Sequence, residues 1–272
     1  MQSLLTINGG SSSLKFAVFS TGADLRRRIA GRIERIGASD ATLVATDAKG
    51  HPAASLEIGT ADHAHAAERL AEWLSTQPDL LPIAAVGHRI VHGGIRLTTH
   101  QRVTPALLEE LRANRSLDLA HLPQEIAMIE VLERHWPGMP QMACFDTAFH
   151  RDLPRVSQLL PIPRTYIDAG IRRLGFHGLS YEYLLGELRR VAGDAADGRV
   201  ILAHLGSGAS LAAVRHGKSV DTSMGFTPLG GIVMSTRSGD LDPGVVTYIA
   251  RTENLDADAI EHLLSQRSGL LG

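Results

Sequence analysis

Short apolar runs bounded by turn-forming residues dominate the first part of the chain. Runs at 4–7 and 14–19 flank a turn rich in glycine and serine, and three more lie at 29–36, 41–46 and 53–58. The last three are each bounded by Gly, Asp or Pro, as short strands are. The pattern predicts a hairpin followed by a strand meander.

Helical and strand patterns alternate along the rest of the chain. Thr104 and Ser180 are predicted N-caps, Pro105 lies in the first turn of its helix, and Asp242 followed by Pro243 marks another helix start. Asp146 directly follows a predicted strand, a position where α/β folds bind ligands. The sequence therefore predicts a mixed α/β protein, with helices over 61–75, 104–113, 123–134 and 180–191 and strands over 83–91, 140–145, 200–205 and 211–215.

The turn of the first hairpin carries candidate chemistry. Gly9 and Gly10 are predicted to take the backbone angles of a tight turn. Three hydroxyls and an ammonium group follow, from Ser11, Ser12, Ser13 and Lys15. Backbone amides, hydroxyls and a positive charge together suit a phosphate. An ordinary Ser/Gly-rich turn has the same composition, so both interpretations stay open at this point.

The second half of the chain repeats this arrangement. Residues 204–210 again place a Gly/Ser turn between two predicted strands, and Lys218 lies farther along the following hairpin. Two phosphate hairpins facing one cleft are typical of the actin-like fold shared by hexokinases, in which each domain contributes one loop to a nucleotide. This comparison rests on a similarity of pattern, and a shared fold by itself does not establish a function.

Composition limits which binding partners and which cell compartment are expected. At 272 residues, with 44% apolar and 21% charged residues, the chain is long enough for two modest folded domains. A formal net charge of -2 without a basic block gives no support for nucleic-acid binding, so small-molecule partners are expected. Cys144 is the single cysteine, and neither a leader nor a membrane-spanning apolar stretch is evident, which predicts a cytoplasmic protein.

Five further segments carry a family resemblance. They are Gly87 to Gly94, Phe145 to His150, Gly175 to Gly178, Asp221 to Pro228 and Thr236 to Pro243. These segments closely resemble signature motifs of the acetate kinases and occur in family order between residues 4 and 272. The resemblance implies a duplicated actin-like, hexokinase-type (ribonuclease H-like) α/β fold. It also implies an N-terminal domain over 1–147 and a second, incomplete domain over 148–272.

The resemblance also implies a role for each matching residue. Asn8 would position Mg²⁺ (or Mn²⁺), with Ser11, Ser13 and Lys15 beside the transferred phosphoryl group. Arg89 and Arg237 would clamp the substrate carboxylate and the developing phosphoryl charge, Asp146 would be the active-site acid, and His177 would stabilise the transition state. The nucleotide phosphate loop would comprise His204, Leu205, Gly206, Ser207 and Gly208, and the acyl pocket Val91, Leu122, Phe176 and Pro228. The implied partners are acetate, ATP or ADP, and a second copy of the chain in a homodimer, with no membrane contact.

Several of these residues also admit structural interpretations. Arg89 and Asp146 have the charges of a plain ion pair. His88 and His92 have the spacing of a helical metal pair, although they fall on a predicted strand and turn. Residues 212–219 end like a Walker loop, but they lack its first glycine and its helix. Gly206 to Gly208 lacks the third glycine of a dinucleotide fingerprint, no Gly-x-Ser-x-Gly elbow is present, and Cys144 is most simply a small core residue.

Three departures from the family pattern qualify the resemblance. Pro123 stands at the usual histidine of a Leu-Ala-Pro-Leu-His-Asn-Pro motif, with His121 two residues earlier. Ser207 replaces the usual asparagine of the nucleotide loop. The last third of a typical acetate kinase, including adenine-binding segments and a magnesium-linked glutamate, has no counterpart in residues 1–272. We therefore expect little or no turnover from these residues alone.

Two alternatives to an active acetate kinase stay open. The chain could be a catalytically silent, anion-binding or dimerising remnant of the family. A sugar or glycerol kinase of the same superfamily is the weaker alternative, since it should place a carboxylate base, not paired arginines, near its acceptor.

Overall fold

A computed structural model describes residues 2–22, 24–80, 82–115 and 121–272. The chain divides into two compact units, Met1–Phe145 and Asp146–Gly272, and each is described by itself. The boundary falls two residues before the predicted end of the N-terminal domain. No described helix is long and apolar enough to cross a membrane.

The first unit is built on a mixed eight-stranded sheet with the strand order β5-β4-β3-β2-β1-β6-β8-β7. Strands β1 to β5 form the predicted hairpin and meander in antiparallel pairs, whereas β6 lies parallel to both β1 and β8. The strands are β1 (Ser3–Gly10), β2 (Ser13–Ser20), β3 (Arg26–Glu34), β4 (Ala41–Asp47), β5 (Pro52–Gly59), β6 (Ile83–Ile90), β7 (Gln101–Arg102) and β8 (Gln141–Phe145).

The described part of this unit contains three α-helices: α1 (His63–Ser75), α2 (Pro105–Ala113) and α3 (Leu122–His135). The predicted cap of α2 is confirmed, because the Thr104 side chain accepts a hydrogen bond from the Leu107 amide and Pro105 occupies the first turn. Helices α1 and α3 pack on the sheet, where alternate residues of β1 and β2 are buried with apolar residues of both helices. This core fixes the sheet edge at which β1, β6 and β8 end.

The second unit contains a three-stranded antiparallel sheet of β9 (Arg199–Leu205), β10 (Ala209–Arg215) and β11 (Lys218–Thr222), in the order β11-β10-β9. Its helices are α4 (Arg155–Gln158), α5 (Arg164–Asp168), α6 (Gly178–Ala192), α7 (Pro243–Thr252) and α8 (Ala257–Gln266). Tyr181 and Leu185 of α6 pack against Leu202, Ala212 and Val214 of the sheet. The helix start predicted at Asp242 is confirmed, since its side chain caps the Gly244 amide.

Two local predictions were wrong. Gly9 and Gly10 belong to strand β1, and the register pairs Gly10 with Ser13, so Ser11 and Ser12 form the turn. Gly9 packs closely on α3, since an added β-carbon would lie 2.4 Å from the Met128 methyl carbon and would displace the end of that side chain. Ser180 does not cap α6, because the helix begins at Gly178 with His177 as its N-cap residue.

Candidate functional site

The first group of predicted residues lies where parallel strands of the first unit end. Asn8 is near the carboxyl end of β1, and Arg89 is near that of β6. The Arg89 Nη1 atom donates a hydrogen bond to Asn8 Oδ1 over 2.9 Å. The structure therefore joins the predicted metal-positioning residue and the predicted substrate arginine. Ligands of α/β folds bind at such strand ends.

The hairpin turn is held at the same edge of the sheet. Lys15 of β2 is exposed and lies opposite Asn8 in the strand register. His63 Nε2 contacts the Gly10 carbonyl oxygen at 2.7 Å, and the Ile36 amide donates to the Ser12 carbonyl over 3.0 Å. The turn is thus fixed by α1 and by the residues after β3. We call Asn8, Ser11, Ser13, Lys15 and Arg89 the first-unit cluster.

Two of the predicted acyl-pocket residues, Val91 and Leu122, are buried in the first unit. The Val91 amide lies 3.1 and 3.2 Å from the two carboxylate oxygens of Glu125, which is itself 1% exposed. Glu125 was not singled out from the sequence. It ties the residue after β6 to the first turn of α3, which carries Leu122, so it shapes the position of both predicted pocket residues.

The first departure from the family pattern, a proline in place of the usual histidine, falls at the start of α3. Pro123 is the second residue of the helix, and His121 occupies its N-cap position. Residues 119 and 120 of the same motif lie outside the described residues. Proline fits the first turn of a helix because the amide hydrogen that it lacks would have no partner within the helix.

The second unit places His177 in a constrained turn before α6. Its φ of 62° is in the left-handed region, which a non-glycine residue seldom adopts. On one side, His150 Nε2 contacts the Phe176 carbonyl oxygen at 3.1 Å, and an added β-carbon on Gly175 would collide with the His150 ring. On the other side, the Gly178 amide donates to the Asp146 carbonyl over 2.8 Å. Contacts on both sides therefore hold the His177 backbone.

Two imidazoles of this unit stack on each other. The ring centroids of His177 and His204 are 4.1 Å apart, with an interplanar angle of 23°. Each ring has a serine at its Nδ1 atom: Ser210 Oγ lies 2.8 Å from that of His177, and Ser180 Oγ lies 2.9 Å from that of His204. These contacts fix the orientation of both rings.

The stacked rings face a glycine turn between β9 and β10. A β-carbon built on Gly208 would lie 3.4 Å from both His177 Nε2 and Arg237 Nη1. The turn is closed by a hydrogen bond of 3.0 Å from the Gly206 amide to the Gly208 carbonyl. His177 Nε2, Arg237 Nη1 and the glycine turn thus surround one small space lined by nitrogen atoms. Such a space suits an anionic oxygen. We call His177, His204, Gly208 and Arg237 the second-unit cluster.

The Arg237 side chain is supported from two directions. Its Nη1 donates to the Pro228 carbonyl oxygen over 3.1 Å, which brings one predicted acyl-pocket residue to a predicted catalytic arginine. Its loop is held by residues 269–271, since the Leu270 and Leu271 amides donate to the Met234 and Ser235 carbonyls over 2.9 and 3.1 Å. Residues distant in sequence therefore fix this guanidinium group.

Other residues of the predicted nucleotide loop are open to solvent. Leu205 is 74% exposed, and Gly206 and Ser207 are also exposed. Asp146, in contrast, is buried directly after β8, and Phe176 is buried beside His177.

The histidines at 88 and 92 each contact a neighbouring protein group. His88 is buried and contacts Gln141 Oε1 through Nε2 at 2.6 Å, and the Gly94 amide donates to His92 Nδ1 over 2.8 Å. Burial lowers the pKa of His88 to about 4, and it does the same for His150. Within the described ranges, no group of three or more His, Cys, Asp or Glu side chains could hold a metal ion.

Comparison with known proteins identifies the family. Residues 3–272 match the model of the acetokinase family. An acetate kinase of Rhodopseudomonas palustris is 43% identical over 274 residues, which cover 99% of this chain and 69% of the relative. An acetate kinase of Deinococcus radiodurans is also 43% identical, over 98% of this chain and 67% of the relative.

The chain belongs to the acetokinase family.

Solved structures of this family share the fold. A propionate kinase from Francisella tularensis superposes with a TM-score of 0.93 at 35% identity, covering 100% of this chain and 70% of that protein. The acetate kinase of Porphyromonas gingivalis gives 0.87 at 34% identity, over 100% and 69%. The predicted actin-like α/β fold is confirmed, and so is the resemblance to acetate kinases. As a member of the acetokinase family, the chain is a phosphotransferase.

Sequence reasoning missed three of the residues behind the catalytic candidates, Glu125, Tyr181 and Ser210, and it assigned the fourth, Ser180, to a helix cap. A signal for two of them was present. Ser180 lies three residues after His177 at the start of a predicted helix, and a three-residue hairpin turn over 206–208 would place Ser210 opposite His204, as the β9–β10 register does. Counting along the chain thus places each serine beside one histidine, but each hydroxyl contacts the ring of the other histidine, which the stacking brings within reach.

Proposed function

We propose that the chain has acetate kinase chemistry, the reversible transfer of the γ-phosphoryl group of ATP to acetate, giving acetyl phosphate and ADP. The observation that carries the proposal is the second-unit cluster, in which His177 Nε2 and Arg237 Nη1 both lie 3.4 Å from the β-carbon position of Gly208. Membership of the acetokinase family and relatives named acetate kinase support it.

The reaction explains why arginines are needed. One acetate oxygen attacks the γ-phosphorus while the bond from that phosphorus to the bridging oxygen of ADP breaks, so no proton has to move. Two anions must be brought together, and charge spreads over three equatorial oxygens. A guanidinium stays charged at physiological pH and binds a carboxylate or phosphate through two N–H groups. We assign the acetate carboxylate to Arg89 and the developing phosphoryl charge to Arg237.

The remaining residues have supporting roles in this proposal. His177 donates a hydrogen bond to the transferred phosphoryl group, and Asp146 is the acidic residue of the active site. Residues 204–208 bind the nucleotide phosphates through backbone amides, as glycine turns do. Ser11, Ser13 and Lys15 supply donors and a positive charge from the first-unit cluster.

We assign the acyl pocket to Val91, Leu122, Phe176 and Pro228. One methylene group changes binding in an apolar pocket by about 1 to 3 kcal/mol, so propionate should be a poorer substrate and not an excluded one. One solved structural neighbour is itself named a propionate kinase, which is consistent with a graded preference in the family.

Magnesium is included in the proposal as the partner of ATP. The described residues offer no carboxylate cage, which agrees with an ion that keeps several waters and takes other ligands from substrate phosphates. Asn8 Oδ1 is a suitable ligand, since an amide oxygen that accepts from Arg89 retains a second lone pair. When bound, the ion would neutralise phosphate charge. A cytoplasmic location and a homodimer, as the resemblance implies, complete the proposal.

Two measurements on residues 1–272 test it. Hydroxylamine trapping detects acetyl phosphate formed from acetate and ATP, and isothermal titration detects binding of magnesium-ATP and of acetate. Acetate-dependent product, or saturable binding of both substrates that Arg237→Ala weakens, supports the proposal. Little turnover with intact binding agrees with the expectation drawn from the third departure, the family segments that have no counterpart in residues 1–272. Absence of product together with absence of binding overturns it and favours a silent remnant.

A further inference from the structure

A chain of hydroxyl groups lies behind His177, on the side away from the Gly208 turn. Ser210 Oγ is 2.8 Å from His177 Nδ1, and the phenol oxygen of Tyr181 is 2.5 Å from the same Ser210 Oγ. Ser210 and Tyr181 are both fully buried. Burying two hydroxyl groups is costly unless each is hydrogen-bonded, and these contacts provide partners for both.

Each hydroxyl group of this chain has one proton to donate. If the Tyr181 phenol donates to Ser210 Oγ, the Ser210 proton is left for His177 Nδ1, and each hydroxyl then donates once. Burial raises the pKa of the Tyr181 phenol, so the phenol keeps its proton at neutral pH.

We propose that Ser210, supported by Tyr181, is a positioning residue that holds the neutral His177 ring with its proton on Nε2. In this arrangement Nδ1 is an acceptor, and the N–H group faces the Gly208 turn beside Arg237. A hydrogen-bond partner at one imidazole nitrogen sets the tautomer at the other.

His204 is held in a parallel way. Its Nδ1 contacts Ser180 Oγ, and its Nε2 lies 3.6 Å from the β-carbon position of Gly206. Both stacked rings therefore have a serine at Nδ1 and direct Nε2 towards the glycine turn. Two protonated rings at a centroid distance of 4.1 Å would repel each other, so the stack favours at least one neutral ring.

The consequence for catalysis rests on the proposed phosphoryl transfer. A donor that is already directed at the developing charge needs no reorganisation during the reaction, and such donors contribute strongly to rate. The opposite tautomer would present a lone pair to an anionic oxygen and repel it. Ser210 and Tyr181 do not face the space beside Gly208, so they act through His177.

The test reads the tautomer directly by NMR and needs no turnover. Two-bond ¹H–¹⁵N spectra distinguish Nε2–H from Nδ1–H rings, and His177→Gln identifies the His177 signals among the 13 histidines. We expect the wild-type His177 ring to be the Nε2–H tautomer. The ¹⁵N chemical shift of its Nδ1 atom should be displaced by the hydrogen bond from Ser210. In Ser210→Ala that displacement is lost and Nδ1–H signal increases. Tyr181→Phe, which keeps the ring, gives a smaller change in the same sense.

Ser157→Ala is the matched control, because it removes a serine hydroxyl that donates to the Val220 carbonyl over 2.8 Å in the same unit. It should leave the His177 signals unchanged. An Nδ1–H ring in the wild type, or His177 signals that are identical in wild type and Ser210→Ala, would overturn the proposal. If Ser210→Ala does not fold, the wild type and Tyr181→Phe provide the test. Unchanged His177 signals in Tyr181→Phe would overturn the role of Tyr181. An Nδ1–H ring in the wild type would overturn the role of Ser210.

Kinetics provides a second readout wherever turnover is measurable. Loss of one such hydrogen bond should lower kcat roughly tenfold and leave both KM values near those of the wild type. A change confined to KM contradicts a positioning role. An Nε2–H tautomer in a chain that shows neither product nor substrate binding would instead retain this inference and reject the proposed function.

Discussion

The guanidinium of Arg89 and the side-chain amide of Asn8 form a hydrogen bond of 2.9 Å between neighbouring parallel strands. The bond removes freedom from a long, flexible side chain before any substrate arrives. An arginine that is already oriented loses less conformational entropy when it binds a carboxylate. Under the proposed assignment of acetate to Arg89, Asn8 therefore influences acetate binding without touching acetate.

Asn8→Ala tests this relationship. Without the amide oxygen, Arg89 becomes more mobile, and we expect kcat/KM for acetate to fall roughly tenfold, equivalent to about 1.4 kcal/mol. Acetate titration calorimetry measures the same loss as weaker binding. Arg32→Ala, which removes an exposed arginine of β3, is the control and should bind acetate normally. Equal acetate affinity in Asn8→Ala and wild type would contradict the role.

Arg237→Lys separates charge from geometry. The guanidinium can hold the Pro228 carbonyl and still present other N–H groups to an anion, whereas an ammonium lacks this planar arrangement. We expect kcat to fall by roughly 10² with the folded structure retained. Circular dichroism and hydroxylamine trapping measure the two properties. Near wild-type turnover would show that a point charge at this position is sufficient.

Gly208→Ala probes the space beside the second-unit cluster. The backbone tolerates alanine because Gly208 does not have a positive φ, but the added methyl group would lie 3.4 Å from His177 and Arg237. Binding of magnesium-ATP should weaken at least tenfold without loss of stability. Gly186→Ala on α6 is the matched control, since its methyl group meets no atom within 4 Å. That substitution should leave binding intact and stabilise the helix by about 1 kcal/mol.

Stability should fall with pH below neutrality. His88 and His150 have folded-state pKa values lowered to about 4, against an ordinary 6.5, because burial disfavours the charged rings. Between these values the unfolded chain binds more protons, so stability rises with pH across this window and is lost as pH falls through it. From pH 7.5 to 5.5 each histidine should reduce the free energy of unfolding by about 1 kcal/mol.

Urea titrations at the two pH values measure this effect. His88→Gln should remove the contribution of the first-unit histidine and leave that of His150. Stability that is constant or increases from pH 7.5 to 5.5 would show that these imidazoles are not buried as neutral groups.

Much of the fold follows from local pattern. The strands, the Thr104 cap and the Asp242 helix start are set by apolar spacing and by side chains that act on neighbouring backbone, so sequence alone predicts them. The hairpin turn was misplaced because Gly9 and Gly10 continue strand β1, where Gly9 packs closely against Met128, a residue of α3 far away in sequence. Turn composition carries no information on such a contact.

The candidate site was likewise predictable only in part. Motif resemblance identified His177 and Arg237, but not the buried groups that orient them. Ser210 acts through a strand register, and Glu125 acts through a contact between the end of β6 and α3. These relationships depend on tertiary packing. Ser180 illustrates the difficulty, since a serine near a helix start is typical of a cap, yet its hydroxyl contacts the ring of His204.

The short turn that carries Ser11 and Ser12 is held by His63 of α1 at the Gly10 carbonyl and by the Ile36 amide, after β3, at the Ser12 carbonyl. Under the proposed function, a loop anchored in this way is already ordered, so phosphate binding does not have to order the segment. The association rate of a phosphate group should then depend on diffusion and charge and not on slow folding of the turn.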